Sequence, residues 1–138
     1  MMGESTTPSG PHRTLAGVRI LVVDDDVTLR RALVRWLGHL GCAALEADGG
    51  AEALLMVEAE APDLVLSDLN MPEMNGIEFL LEMQAAGHVI PVIAMSGGGR
   101  VPKTSLLQDA DMLGAVEVIA KPFEMQSLLD AILRNLPR

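Results

Sequence analysis

Aromatic side chains are nearly missing from this 138-residue chain: tyrosine is absent, and Trp36, Phe79 and Phe123 complete the set. A hydrophobic core must therefore be assembled from Leu, Val, Ile, Ala and nine Met, within a composition that is 49% hydrophobic. Cysteine is reduced to Cys42 alone, which excludes a disulfide framework and a Cys-based metal cluster. Its setting, Gly41-Cys42-Ala43-Ala44-Leu45, reads as that of a small buried residue. Basic charge is also scarce. Ten Lys and Arg face 19 Asp and Glu, for a formal net charge of -9. Binding to a phosphate backbone needs a basic stripe that this chain lacks, so no direct nucleic-acid partner is expected, and an anionic membrane surface is disfavoured. A divalent cation or a basic patch on another protein remains a fitting partner. No apolar run approaches the roughly 20 residues that span a bilayer, and no secretory leader opens the chain. The expected location is the reducing cytoplasm.

What is present is an alternation. Residues 1–17 are rich in Ser, Thr, Pro and Gly without apolar periodicity, and read as a disordered tail ahead of one domain over 18–138. Four apolar runs follow: Ile20–Val23, Leu64–Leu66, Pro91–Met95 and Val116–Ala120. A weaker one covers Cys42–Ala47. Continuous hydrophobicity suits strands buried on both faces of a parallel sheet. Between the runs lie five helix-like segments: Val27–Leu40 closed by Gly41, Ala51–Ala59 before Pro62, Ile77–Ala86 closed by Gly87, Thr104–Leu113 closed by Gly114, and Met125–Leu136. Five strands alternating with five helices predict a doubly wound α/β sandwich.

In open α/β sheets ligands gather beyond the carboxyl ends of the strands. Here the first run ends in Asp24-Asp25-Asp26, the third in Ser67-Asp68, the fourth in Ser96 and the fifth in Lys121-Pro122. Carboxylates crowded on one edge repel unless a cation or proton intervenes. Mg2+ suits such a place, because it takes oxygen ligands, retains waters and pairs one or two carboxylates with a phosphate. Lys121, one of two lysines in the chain, supplies a compact positive charge for a phosphoryl oxygen, and Ser96 a hydroxyl donor. A carboxylate nucleophile, a metal, an ammonium and a hydroxyl together describe phosphoryl transfer to an aspartate.

These pieces, in this order, resemble the receiver domains of two-component response regulators. The resemblance runs from about Val18 to Leu136. It rests on Ile20–Asp26, on Asp63–Pro72, and on Gly76, Ser96 and Lys121-Pro122-Phe123. It implies a flavodoxin-like receiver fold, (βα)5, with a five-stranded parallel sheet of order 2-1-3-4-5. It further implies that Asp68 is the phosphoacceptor and that Asp25 ligates Mg2+ directly while Asp24 holds it through water. Asn70 would lend its backbone carbonyl to the metal, and Lys121 and Ser96 would bind the phosphoryl oxygens. The expected function is a phosphoacceptor switch rather than an enzyme in the ordinary sense. Its phosphodonor would be a sensor histidine kinase or a histidine phosphotransfer protein, and its output contact with another protein.

Plainer roles suit other residues. Asp26 reads as a helix N-cap, Trp36 as packing, and Met71-Pro72 as loop-shaping; His12, His39 and His88 have no partners at ligand spacing. Two positions depart from the family pattern. Receivers commonly carry an aromatic residue three positions before the strand-five lysine, and here that position is Val118. The segment 97–104 opens with three glycines, which permit easy rearrangement, and it is the expected carrier of any conformational change. The alternatives are a phosphorylation-independent pseudo-receiver scaffold and a receiver fragment of a longer regulator. An aspartyl-phosphate phosphatase would want its nucleophile on strand one, and a flavodoxin relative a phosphate loop where three aspartates stand.

Overall fold

A computed structural model describes residues 14–69, 76–96 and 115–136. Its elements run β1 (Arg19–Val23), α1 (Val27–His39), β2 (Ala43–Ala47), α2 (Gly50–Glu60), β3 (Leu64–Asp68), α3 (Gly76–Ala85), β4 (Val92–Ser96), β5 (Glu117–Ala120) and α4 (Met125–Asn135). All five strands are parallel and lie in the order β2-β1-β3-β4-β5, as the resemblance implies. The helix expected over 104–113 falls outside the described residues, as do 97–104 and Asn70.

Alternation along the central strands sorts their side chains to two faces. Ile20 and Val22, Leu64 and Leu66, and Ile93 and Met95 join Leu33 and Leu37 of α1 and Leu128 and Ile132 of α4 in one cluster. Leu21 and Val23, Val65, and Val92 and Ala94 join Ala53 and Val57 of α2 and Phe79 and Met83 of α3 in the other. Helices cover both faces, so β3 and β4 are buried along their whole length, which is why their apolar runs do not alternate. Trp36 and Phe123 pack at the margin of the first cluster. Cys42 is buried within it, and burial pushes its thiol up to about 11.

Packing starts before Val18. Leu15, inside the stretch whose composition reads as a tail, is fully buried, and its amide donates to the Leu40 carbonyl at 2.7 Å. One apolar residue among polar ones carries no periodicity, so this anchoring left no pattern to read. Gly41 adopts φ 92° directly after the α1 C-cap Leu40, a conformation that favours glycine. Among the described residues no helix is long and apolar enough to cross a membrane.

Candidate functional site

The strand order reverses between β1 and β3, and the functional residues converge at the carboxyl ends flanking that point. β1 ends at Val23, and the next amide, Asp24 N–H, still reaches the Ala47 carbonyl at 3.2 Å. Asp24 is thus fixed at the end of the strand and is fully buried. The chain then turns into α1, with Asp26 as N-cap: its side chain accepts from the Leu29 amide at 3.2 Å. Asp24 Oδ1 in turn accepts from the Asp26 amide at 2.9 Å. The three successive aspartates therefore have separate tasks. Asp26 caps the helix, Asp24 braces the turn, and Asp25 is left exposed at the rim.

Asp68 occupies the last position of β3, opposite Met95, and is only 4% exposed. Carboxylate oxygens of Asp24, Asp25 and Asp68 lie within 4.8 Å of one another. Lys121 follows the end of β5. Its amide donates to the Ser96 carbonyl at 2.6 Å, continuing the β4–β5 ladder. Its ammonium reaches back across the sheet to Asp24 Oδ2 at 3.1 Å and Asp68 Oδ2 at 3.4 Å. Burial pulls the Lys121 ammonium down, but the charges of Asp68 and Asp24 and hydrogen bonds to both outweigh it, so its pKa lies above the ordinary lysine value. One ammonium faces three carboxylates, which leaves a net negative cluster.

Ser96 ends β4 and is fully buried, and among the described residues its hydroxyl has no hydrogen-bond partner. Along β4 it has the parity of Val92 and Ala94, whereas Asp68 has that of Leu64 and Leu66. The hydroxyl and the Asp68 carboxylate thus start from opposite faces of the sheet. A buried donor left unmade costs about 1–3 kcal/mol. This cost is informative, because a hydroxyl at a strand end is easily satisfied if satisfaction in the resting state is all that matters.

The donor set fits a hard divalent cation: two buried carboxylates and one exposed one, converging where water has access. Five of the six residues singled out from sequence, Asp24, Asp25, Asp68, Ser96 and Lys121, stand at the carboxyl ends of β1, β3, β4 and β5. The first three and Lys121 are in mutual reach, whereas Ser96 lies beside Lys121 along the backbone. Asn70, the sixth, lies outside the described residues. A groove of about 390 Å³ adjoins the site, lined by Asp26, Leu29, Lys121, Pro122, Phe123 and Met125.

Sequence reasoning passed over Arg30. This residue of α1 is 9% exposed, donates from its terminal nitrogen to the Asp24 carbonyl at 2.8 Å and from Nε to Glu46 Oε1 at 2.8 Å. A signal was available: Arg30 shares the buried face of α1 with Leu33 and Leu37, and a cation at such a position needs a partner.

Comparison with known proteins agrees with this geometry. Residues 20–133 match the family model described as the response regulator receiver domain. The chain is 37% identical over 119 residues to sporulation initiation phosphotransferase F of Bacillus subtilis, covering 86% of this chain and 94% of that protein. It is 36% identical over 121 residues to the response regulator MprA of Mycobacterium bovis, covering 88% of this chain but only 51% of the relative. Among solved structures it is similar to a response regulator receiver protein from Pseudomonas putida, with TM-score 0.79, 29% identity, and coverage of 86% of this chain and 98% of that one. It is also similar to the chemotaxis protein CheY4 of Vibrio cholerae, with TM-score 0.76, 30% identity, and coverage of 88% and 100%.

Proposed function

The chain belongs to the response-regulator receiver family of two-component signalling, and from that premise we propose that it is a phosphoacceptor switch whose nucleophile is Asp68. The observation that carries this reading is the placement of Asp68. It is a buried carboxylate at a strand end, 3.4 Å from an ammonium and within 4.8 Å of two further carboxylates.

The chemistry follows from that placement. A phosphohistidine on a sensor kinase or a phosphotransfer protein presents its phosphorus to an Asp68 oxygen. The new O–P bond forms as the P–N bond breaks, and the departing imidazole nitrogen takes up a proton. Asp24, Asp25 and Asp68, with the backbone carbonyl of Asn70, would hold Mg2+, which supplies charge neutralisation for the transferring phosphoryl oxygens. Lys121, already between Asp24 and Asp68, moves its ammonium onto a phosphoryl oxygen once one exists. The Ser96 hydroxyl, buried without a partner among the described residues, gains an acceptor by turning towards the modified Asp68. The groove bordered by Leu29, Phe123 and Met125 opens beside Lys121 and gives the donor protein a place to seat next to the acceptor.

Signalling requires a downstream protein that distinguishes the two states of Asp68. With Val118 packed at the margin of the second core cluster, no aromatic ring sits at that position of β5 to relay the change. We place that role with the movement of Ser96, and we place the protein in the cytoplasm with its kinase.

Intact-mass measurement after incubation with acetyl phosphate and Mg2+ tests the reading. The wild type gains one phosphoryl group; Asp68→Asn gains none, and EDTA suppresses the gain. An equal gain in Asp68→Asn refutes the assignment. A wild type that never gains mass, from acetyl phosphate or from a phosphohistidine donor, favours the pseudo-receiver scaffold.

A further inference from the structure

We propose that Arg30 is a positioning residue for the divalent-cation site, holding the main chain of the acidic turn in the geometry that lets Asp24 and Asp25 converge on Asp68. The inference rests on the reading of those carboxylates as the Mg2+ site. The Arg30 side chain carries no acceptor atom and is not itself a metal ligand. Its guanidinium spans from the Glu46 carboxylate on β2 to the Asp24 carbonyl, with 2.8 Å to each.

This contact has a geometric consequence. Asp24 is the residue at which the chain leaves β1 and turns into α1, so the plane of its peptide sets where both the Asp24 and Asp25 side chains point. Hydrogen bonds surround that peptide on every side. Its amide is held by the Ala47 carbonyl, its side chain receives the Asp26 amide, and its carbonyl receives Arg30. The first comes from the β2 main chain and the second from the Asp26 amide onto the Asp24 side chain, so neither depends on Arg30; the third depends on Arg30 alone. Glu46 fixes the guanidinium from the far side and is the only acid that the described residues place on it, through the ion pair at Nε. A planar fork can serve both partners at once, and a lysine ammonium at the end of a flexible stem cannot hold that geometry. Groups behind the ligands orient them in this way at metal sites generally, and losing one typically costs about 10- to 100-fold in metal affinity.

Charge and position predict opposite signs here, which makes the idea testable. If Arg30 mattered only as a nearby cation, removing it would deepen the negative potential and tighten Mg2+ binding. If it positions the turn, removing it weakens binding despite the more favourable charge. The measurement is a Mg2+ titration of the full 138-residue chain followed by amide chemical shifts of Asp24, Asp25 and Asp68, alongside thermal unfolding in EDTA. Arg30→Ala and Arg30→Lys are both expected to weaken Mg2+ by about ten-fold or more, although Arg30→Lys keeps the charge. Glu46→Gln keeps an oxygen facing Nε and stays close to wild type, and Glu46→Ala falls between. Should Arg30→Ala fail to fold, Arg30→Lys and Glu46→Ala carry the same comparison. Unchanged or tighter Mg2+ binding in Arg30→Lys or Glu46→Ala, with only a lower melting temperature, makes Arg30 a structural pin and overturns the proposal. A wild type that takes up no Mg2+ overturns the metal-site reading itself, and this inference with it; wild-type binding with indifferent variants sinks only the role of Arg30.

Discussion

Replacing Asp25 by asparagine removes one charge from the acidic cluster without disturbing the ion pairs of Lys121, which are made to Asp24 and Asp68. The carboxylate oxygens of the three acids lie within 4.8 Å of one another. At that outer limit each like-charge pair costs about 0.9 kcal/mol if water-like screening applies, and about 3.5 kcal/mol at an effective dielectric of 20. Asp25 is the exposed member, so the lower figure governs, and it acts twice, against Asp24 and against Asp68. The more distant attraction of Lys121 for Asp25 is also lost. A net gain of about 1 kcal/mol remains, which for a chain of this size raises the melting temperature by about 4 °C.

Asp25→Asn should therefore be more stable than wild type in EDTA at low ionic strength, and the difference should shrink in 1 M NaCl, where screening extends over only about 3 Å. Mg2+ reverses the order. At ten times its dissociation constant a bound ion stabilises the wild type by about 1.4 kcal/mol, whereas the variant has lost a ligand and responds weakly. Thermal melts at several Mg2+ concentrations would trace the crossing. A variant that melts at or below wild type in EDTA refutes the reasoning, because it means that the acids are not repelling one another in the resting protein.

Two other outcomes follow from the same coordinates. Lys121→Met leaves buried Asp24 and Asp68 without their cation, so it should destabilise the metal-free protein by about 3 kcal/mol and strengthen Mg2+ binding. The pKa of Lys121 is raised by folding, so its contribution to stability is present below the ordinary lysine value and fades as pH climbs through the folded value. Wild type should thus lose its advantage over Lys121→Met in alkaline urea melts, and a gap that is constant from pH 7 to 11 would contradict this. Cys42, buried and with its thiol pushed up to about 11, should resist iodoacetamide at pH 8 until urea unfolds the domain; labelling of the native protein at the rate of a free thiol would overturn that.

How far the sequence reaches can be judged at particular residues. Apolar runs announced the strands because burial on both faces demands uninterrupted hydrophobicity, and the residue after each run therefore fell at a carboxyl end. That is why Asp24, Asp68, Ser96 and Lys121 were legible before any coordinates. Asp26 as N-cap was legible too, since capping is a local matter. Strand ends were read short at β3 and β4, where Ser67, Asp68 and Ser96 prove to be within the ladder rather than beyond it: polarity ended the pattern before hydrogen bonding ended the strand. Leu15 and Arg30 were missed for a different reason. Leu15 makes its decisive contact far along the chain, with Leu40, and no local pattern encodes such a partner; the place of Arg30 on the buried face of α1 signalled that it needs partners but not that they are Asp24 and Glu46.

The parity of Ser96 was likewise invisible, yet it bears most directly on how a switch would work. Two unfavourable features coexist in the resting site: three carboxylates lie within 4.8 Å of one another while the Lys121 ammonium pairs with only Asp24 and Asp68, and a buried hydroxyl has no hydrogen-bond partner among the described residues. Either alone is easily removed by mutation, and proteins seldom keep such features without use. They are complementary. A cation relieves the first but not the second; an anionic group on Asp68 offers the second an acceptor but, without a cation, aggravates the first. Only a phosphoryl group together with a divalent ion relieves both. Because Ser96 and Asp68 begin on opposite faces of the sheet, meeting that group obliges β4's last residue to move. The stabilisation on offer, about 1–3 kcal/mol for the hydroxyl alone, is of the size needed to shift a two-state equilibrium by one or two orders of magnitude. A serine that could be replaced by alanine with no change in the state-dependence of partner binding would break this link between the strained resting site and the signal.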